Sequence, residues 1–207
     1  TVLSESNSQN QELGITSVDF MTTPQYMLKN DDGRCGDGNQ QPLFCKCGWE
    51  IAWCEGNDEQ SRRFTYIPLL PKNITTLAFW YNDLKTVDDR NFFVNVTQIK
   101  ELDLSYNNIT WVSAGVFDLM PNLTWLGLTF NPLSDLTALR NVLATPSLVY
   151  VVASYCHFPS FGEHFLDDVD VSNVQTIELS TNAMFGEFYL SPLCRLKKLK
   201  SLSLTHN

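Results

Sequence analysis

From residue 74 onward the apolar positions fall into one eleven-residue phrase that returns every 24 to 26 residues. The phrase is apolar-x-x-apolar-x-apolar-x-x-Asn-x-apolar. It reads Ile74, Leu77, Phe79, Asn82, Leu84, then Ile99, Leu102, Leu104, Asn107, Ile109. Next come Leu123, Leu126, Leu128, Asn131, Leu133, and Leu148, Val151, Ala153, Cys156, Phe158. Val174, Ile177, Leu179, Asn182, Met184 and finally Leu199, Leu202, Leu204, Asn207 complete the set. The fourth and sixth positions are two apart, so they share one face of a short strand. Such a strand is too short to fold alone. It must pair with the next copy, which predicts a parallel sheet stacked along one axis. The ninth-position Asn follows the strand, where the chain turns. Its amide both donates and accepts, so stacked copies would form a ladder that satisfies turn backbone. Cys156 interrupts that ladder with a weak donor that suits an apolar site.

The other half of each period repeats as well. Phe93, Phe117, Val142 and Leu193 stand six residues before the next phrase, and Val96, Met120, Val171 and Leu196 stand three before it. These would fill the core from the opposite side, where Thr145 is the poor fit. Phrase and period are the leucine-rich-repeat signature, Cys for Asn included. They predict an α/β solenoid with a curved parallel sheet on the concave face and irregular loops or short helices on the convex face. The predicted organisation is a polar extension over 1–34, a cysteine-containing cap over 35–73, and six repeats over 74–207. The sixth stops at Asn207 without its convex half, and a solenoid needs a closing cap, so a longer parent protein is expected.

Four cysteines cluster, Cys35, Cys45, Cys47 and Cys54, just ahead of the first repeat, whose apolar end would otherwise face water. A stapled cap would cover it. Four cysteines allow three pairings, and zinc is the rival use of such a set. Cys156 and Cys194 are read as free and buried. The net charge is −9, which argues against nucleic acid and anionic membrane surfaces as general partners. The run Arg195, Lys197, Lys198, Lys200 reads as a solvated face. No apolar stretch approaches the ~20 residues of a membrane span. Sequons at Asn73, Asn95, Asn108 and Asn122, with a chain that begins at Thr1 rather than Met, suit a secreted product that has lost its leader.

Chemistry is sparse. His157, His164 and His206 are scattered, with no Ser or Cys at a nucleophile spacing. Glu163-His164 and Asp167-Asp168 read as a solvated convex loop, and Asp31-Asp32-Gly33 and Asp37-Gly38 as turns. There is no Gly-rich phosphate loop. No catalytic residue, metal or cofactor is expected. The binding candidates are aromatic. Tyr81, Tyr106, Phe130 and Tyr155 hold the eighth position of four successive repeats, while Trp125 and Tyr150 hold the third position and Trp80 the seventh. Aromatics on the concave or lateral face are the usual substance of hot spots, yet eighth-position rings could equally lie on one another and stiffen the sheet edge.

Cys45-x-Cys47, six residues, then Cys54, with Ile67-Pro68-Leu69-Leu70-Pro71 leading into Asn73-Ile74-Thr75-Thr76-Leu77, resembles the N-terminal part of a Toll-like receptor ectodomain over about residues 35–207. The resemblance implies pairing of Cys35 with Cys47 and of Cys45 with Cys54. It also implies an extracellular ectodomain of a single-pass membrane receptor that binds a microbial or danger-associated ligand and signals as a homodimer or heterodimer. An adhesion, matrix or decoy repeat protein without a signalling domain shares every feature read here.

Overall fold

The computed structural model describes residues 34–35, 45–56, 63–68, 70–88, 93, 96–169 and 172–207. The expected extension over 1–34 lies almost wholly outside these residues, as do Asn95, Val171 and the Asp-Gly turns at 31–33 and 37–38.

Among the described residues a nine-stranded sheet runs from the cysteine cluster through the sixth repeat. The repeats supply β4 (Thr76–Ala78), β6 (Glu101–Asp103), β8 (Trp125–Gly127), β9 (Tyr150–Val152), β10 (Thr176–Glu178) and β11 (Ser201–Ser203). They are parallel and in one register, so Leu77, Leu102, Leu126, Val151, Ile177 and Leu202 stand side by side. Each strand is three residues long, and only stacking stabilises it. On the far side, β5 (Thr86–Val87) pairs with β7 (Trp111–Val112). Among the described residues the convex side also carries the helix α1 (Leu136–Leu143), capped by Asp135 Oδ1 on Thr137 N at 2.7 Å, and a 3-10 turn over Ser191–Arg195.

The ninth-position asparagines form a ladder that Cys156 interrupts. Asn107 donates to Phe79 O at 2.8 Å and to Leu104 O at 3.0 Å, and accepts from Leu84 N at 3.2 Å. Asn131 does the same with Leu104 O, Leu128 O and Ile109 N, each at 2.9 Å. Each amide therefore satisfies its own turn and the preceding one. Cys156 Sγ keeps the bond to Leu128 O, at 3.1 Å, but takes none from Leu133 N. The orphaned Leu133 N turns back to Asn131 O instead, at 2.8 Å. The chain there takes a different path, and α1 follows it.

The core lies between sheet and convex side. Phe93, Phe117, Val142, Leu193, Val96, Met120 and Leu196 are all buried in it. Thr145 is buried too, with Oγ1 turned to Asn141 O at 3.5 Å. Cys194 corrects the sequence reading. It is exposed, because Pro192, Leu193 and Leu196 take the inward positions of the 3-10 turn and leave the thiol outside.

The cap is more integrated than the 35–73 boundary implies. Cys35 is bonded to Cys47 and Cys45 to Cys54. Strand β2 (Cys45–Gly48) pairs antiparallel with β1 (Arg34–Cys35) on one side and with β3 (Ile51–Trp53) on the other, and β3 then pairs parallel with β4. Ala52 and Cys54 stand 25 residues before Leu77 and Phe79, so the cap supplies a degenerate repeat of its own.

Candidate binding face

At the eighth position the chain leaves each strand through a left-handed backbone. Tyr81, Tyr106, Phe130, Tyr155, Thr181 and His206 have φ between 53° and 58°. Such conformations cost about 1 kcal/mol or more for a residue with a Cβ. The turn swings the ninth-position amide inward and brings consecutive eighth-position side chains onto one line. Four of them are aromatic and they stack. Tyr81 and Tyr106 centroids are 4.5 Å apart, Tyr106 and Phe130 4.5 Å, and Phe130 and Tyr155 4.2 Å, with interplanar angles of 24°, 20° and 12°. The two inner rings have a neighbour on each face, so this ribbon offers solvent mainly ring edges. Tyr81, Phe130 and Tyr155 remain 44%, 39% and 44% exposed. The ring column is therefore a stacked spine along the flank of the sheet, with part of each of these three rings open to solvent.

The concave face carries the third, fifth and seventh positions. Trp125 and Tyr150 are register partners on β8 and β9, both half-buried. Trp80 is half-buried on the first repeat. Trp53, on the cap strand and aligned with Ala78, belongs to the same face. Sequence reasoning missed it because β3 carries so little of the phrase; its position 25 residues before Ala78 was the available signal.

The face is more crowded than the alternation suggested. Thr76, Ala78, Asp103, Ser105, Gly127 and Ser154 face the concave side yet are buried by neighbours. Gly127 explains part of this. A Cβ built on it would stand 2.6 Å from Trp125 Cη2 and 2.7 Å from Asp103 Oδ1. The Trp125 indole thus lies over the glycine, beside the Asp103 carboxylate. Asp103 is 5% exposed. Burial pushes its pKa up, opposed by hydrogen bonds from the Ser105 hydroxyl and backbone N, the latter 2.9 Å from Oδ1.

Other candidate groups lie apart from this face. His164 contacts Asp167 at 2.7 Å, Asp167 pairs with Arg195 at 3.2 Å, and Arg140 pairs with Asp168 at 3.5 Å. These exposed pairs tie neighbouring convex loops and are worth little individually. Among the described residues no three His, Cys, Asp or Glu side chains gather as a metal site. Asn73, Asn108 and Asn122 are exposed. Asn73 Nδ2 donates to Trp49 O and Asn108 Nδ2 to Asp83 Oδ1, at 2.5 and 2.7 Å. No described helix is long and apolar enough to cross a membrane.

A leucine-rich-repeat family model matches residues 72–133. The fold is the leucine-rich-repeat solenoid. Mouse osteomodulin is 28% identical over 174 residues, covering 82% of this chain and 38% of its own length. The chain thus spans well under half of that curated relative. Human 5T4, a Wnt-activated inhibitory factor also called trophoblast glycoprotein, superposes with a TM-score of 0.63 at 22% identity, over 83% of this chain and 64% of that one. A chain of the Drosophila Toll–Spatzle complex superposes at 0.54 and 18% identity, over 66% of this chain and 17% of that one. At such identities the two structures share the fold alone. Extracellular leucine-rich-repeat proteins are thus the sequence relatives, and the Toll-like link rests on distant structural neighbours.

Proposed function

We propose that this leucine-rich-repeat chain is the partner-binding array of a secreted or cell-surface matrix or adhesion protein, and that it takes a protein partner on its concave face. The observation that carries the reading is the match to osteomodulin, a secreted leucine-rich-repeat proteoglycan, over 82% of the chain. The half-buried Trp80, Trp125 and Tyr150 support the choice of face, since aromatic side chains on a rigid sheet dominate binding energies. The repeat fold and these relatives are non-enzymatic, which favours binding over catalysis.

The Toll-like reading, with a microbial or danger-associated ligand and ligand-driven dimerisation, keeps the support of the cap motif and of the run Asn73 to Leu77. The relatives favour the matrix reading over it. Biolayer interferometry of the secreted, disulfide-bonded chain separates the two. Purified matrix proteins form one panel and microbial lipopeptides and lipopolysaccharides the other, with light scattering to count copies. Saturable matrix-protein binding by a single copy is expected. Silence on the matrix panel, with a microbial ligand pairing two copies, would overturn the proposal.

A further inference from the structure

Resting on the reading that the chain is secreted or displayed at the cell surface, we propose that Asn73 carries an N-linked glycan whose first sugar lies on the Trp49 indole and fastens the cap hairpin to the first repeat. Trp49 is unusual in two independent ways. It forms, with Glu50, the two-residue turn between β2 and β3, where Gly48 pairs with Ile51. Its φ is 57°, and positive φ in such turns favours Gly, Asn or Asp. Its side chain is also 79% exposed. The residue therefore combines backbone strain with a large apolar surface in water, and strain of this kind concentrates where a residue has a function.

The same turn holds both defining residues of the sequon Asn73-Ile74-Thr75. Asn73 Nδ2 donates to Trp49 O at 2.5 Å. Thr75 N donates to Glu50 O at 2.7 Å, and Thr75 Oγ1 to Glu50 Oε2 at 3.3 Å. The nitrogen that would carry the sugar thus lies one hydrogen bond from the residue that exposes the indole. Asn73 is itself exposed. Asn108 differs, because its amide donates to the Asp83 carboxylate at 2.7 Å, which offers a sugar no apolar face.

In the transfer, the amide nitrogen bonds the anomeric carbon of a lipid-linked oligosaccharide pyrophosphate. The C–O bond to the pyrophosphate breaks, and the amide gives up one of its two protons. The remaining N–H can still donate to Trp49 O. A pyranose presents an apolar C–H face, and an indole is a broad flat apolar surface to receive it. Contact removes both from water. Thr75 is committed to Glu50 in the folded chain, so the sequon is modified before the cap closes, and the cap then folds against the sugar.

The test uses the full chain secreted from a eukaryotic host. Mass spectrometry of its peptides should find glycan on Asn73. Oxidation by N-bromosuccinimide, mapped the same way, should spare Trp49 in this chain and modify it in Asn73→Gln. The melting temperature should fall by about 2–4 °C from parent to Asn73→Gln. That fall should vanish in a Trp49→Ala background, which keeps the Trp49 carbonyl and removes only the indole. The effect of Asn122→Gln, at a sequon away from the cap, should be the same in both backgrounds. Should Asn73→Gln fail to fold, enzymatic deglycosylation of the folded parent gives the same oxidation comparison. A bare Asn73, or a glycosylated chain whose Trp49 oxidises as readily as in the unglycosylated one, overturns the assignment. Glycan on Asn108 or Asn122 with a bare Asn73 overturns this assignment alone and leaves the secreted reading standing.

Discussion

Trp125 occupies the space that a side chain on Gly127 would need, with Cη2 only 2.6 Å from where that Cβ would stand. Indole, glycine and the Asp103 carboxylate are therefore one packed unit on the concave face. Gly127→Ala should keep the solenoid but expel the indole, at a cost of roughly 1–3 kcal/mol of overpacking. Denaturant melts and tryptophan emission read both effects. An unchanged midpoint with unshifted emission would mean that the indole does not rest there.

Asp103 makes the concave face pH-sensitive. Its folded pKa lies above the ordinary value of 3.8 because it is buried. Between those two values the folded chain binds more protons than the unfolded chain, so this group lowers stability as pH rises. Asp103→Asn keeps an acceptor for Ser105 N and removes the buried charge. It should be more stable than the parent at neutral pH, on the order of 1 kcal/mol, with the gain shrinking as pH falls below the folded pKa. A variant less stable at neutral pH would show that the carboxylate is favourably held.

The asparagine ladder predicts a cost where its amides are removed. Asn107 holds Phe79 O, Leu104 O, Ser105 O and Leu84 N together. Asn107→Ala should destabilise by roughly 1–3 kcal/mol as buried partners go unsatisfied. A change of a few tenths in chemical denaturation would contradict the ladder's role.

The two free thiols should behave oppositely. Cys156 is buried, and burial pushes its pKa up to about 12, whereas Cys194 is exposed. Thiolate is the reactive form. Iodoacetamide on the native chain at neutral pH should label Cys194, and label Cys156 only after unfolding. Mass spectrometry of the digested product decides it, and native labelling of Cys156 would contradict the packing.

How far the sequence foretold this is uneven, for physical reasons. The phrase made the repeat strands legible because Leu and Asn recur at fixed spacing, and buried side chains must. The cap strand was illegible because its inward positions are Ala52 and Cys54, too small to announce a core. The helix could have been read from Ser134-Asp135 ahead of Leu136, Leu139 and Leu143, a cap followed by helical spacing. The ring column was seen, but not that its residues share a left-handed backbone, since Tyr and Phe do not advertise positive φ as glycine does. Burial of Asp103 was not visible either. It depends on what Ala78 and Gly127 omit on the neighbouring strands, and on where Trp125 lies.

The central claim is that the concave face, not the convex loops, meets the protein partner. The most direct measurement compares partner affinity for the parent chain, the Trp125→Ala/Tyr150→Ala double variant, and a convex control, Arg140→Ala. The account predicts unchanged folding of the double variant by circular dichroism, a loss of about 2 kcal/mol or more in binding, and near-parental binding by the control. A folded double variant that binds as well as the parent, or a control that loses binding instead, would contradict it.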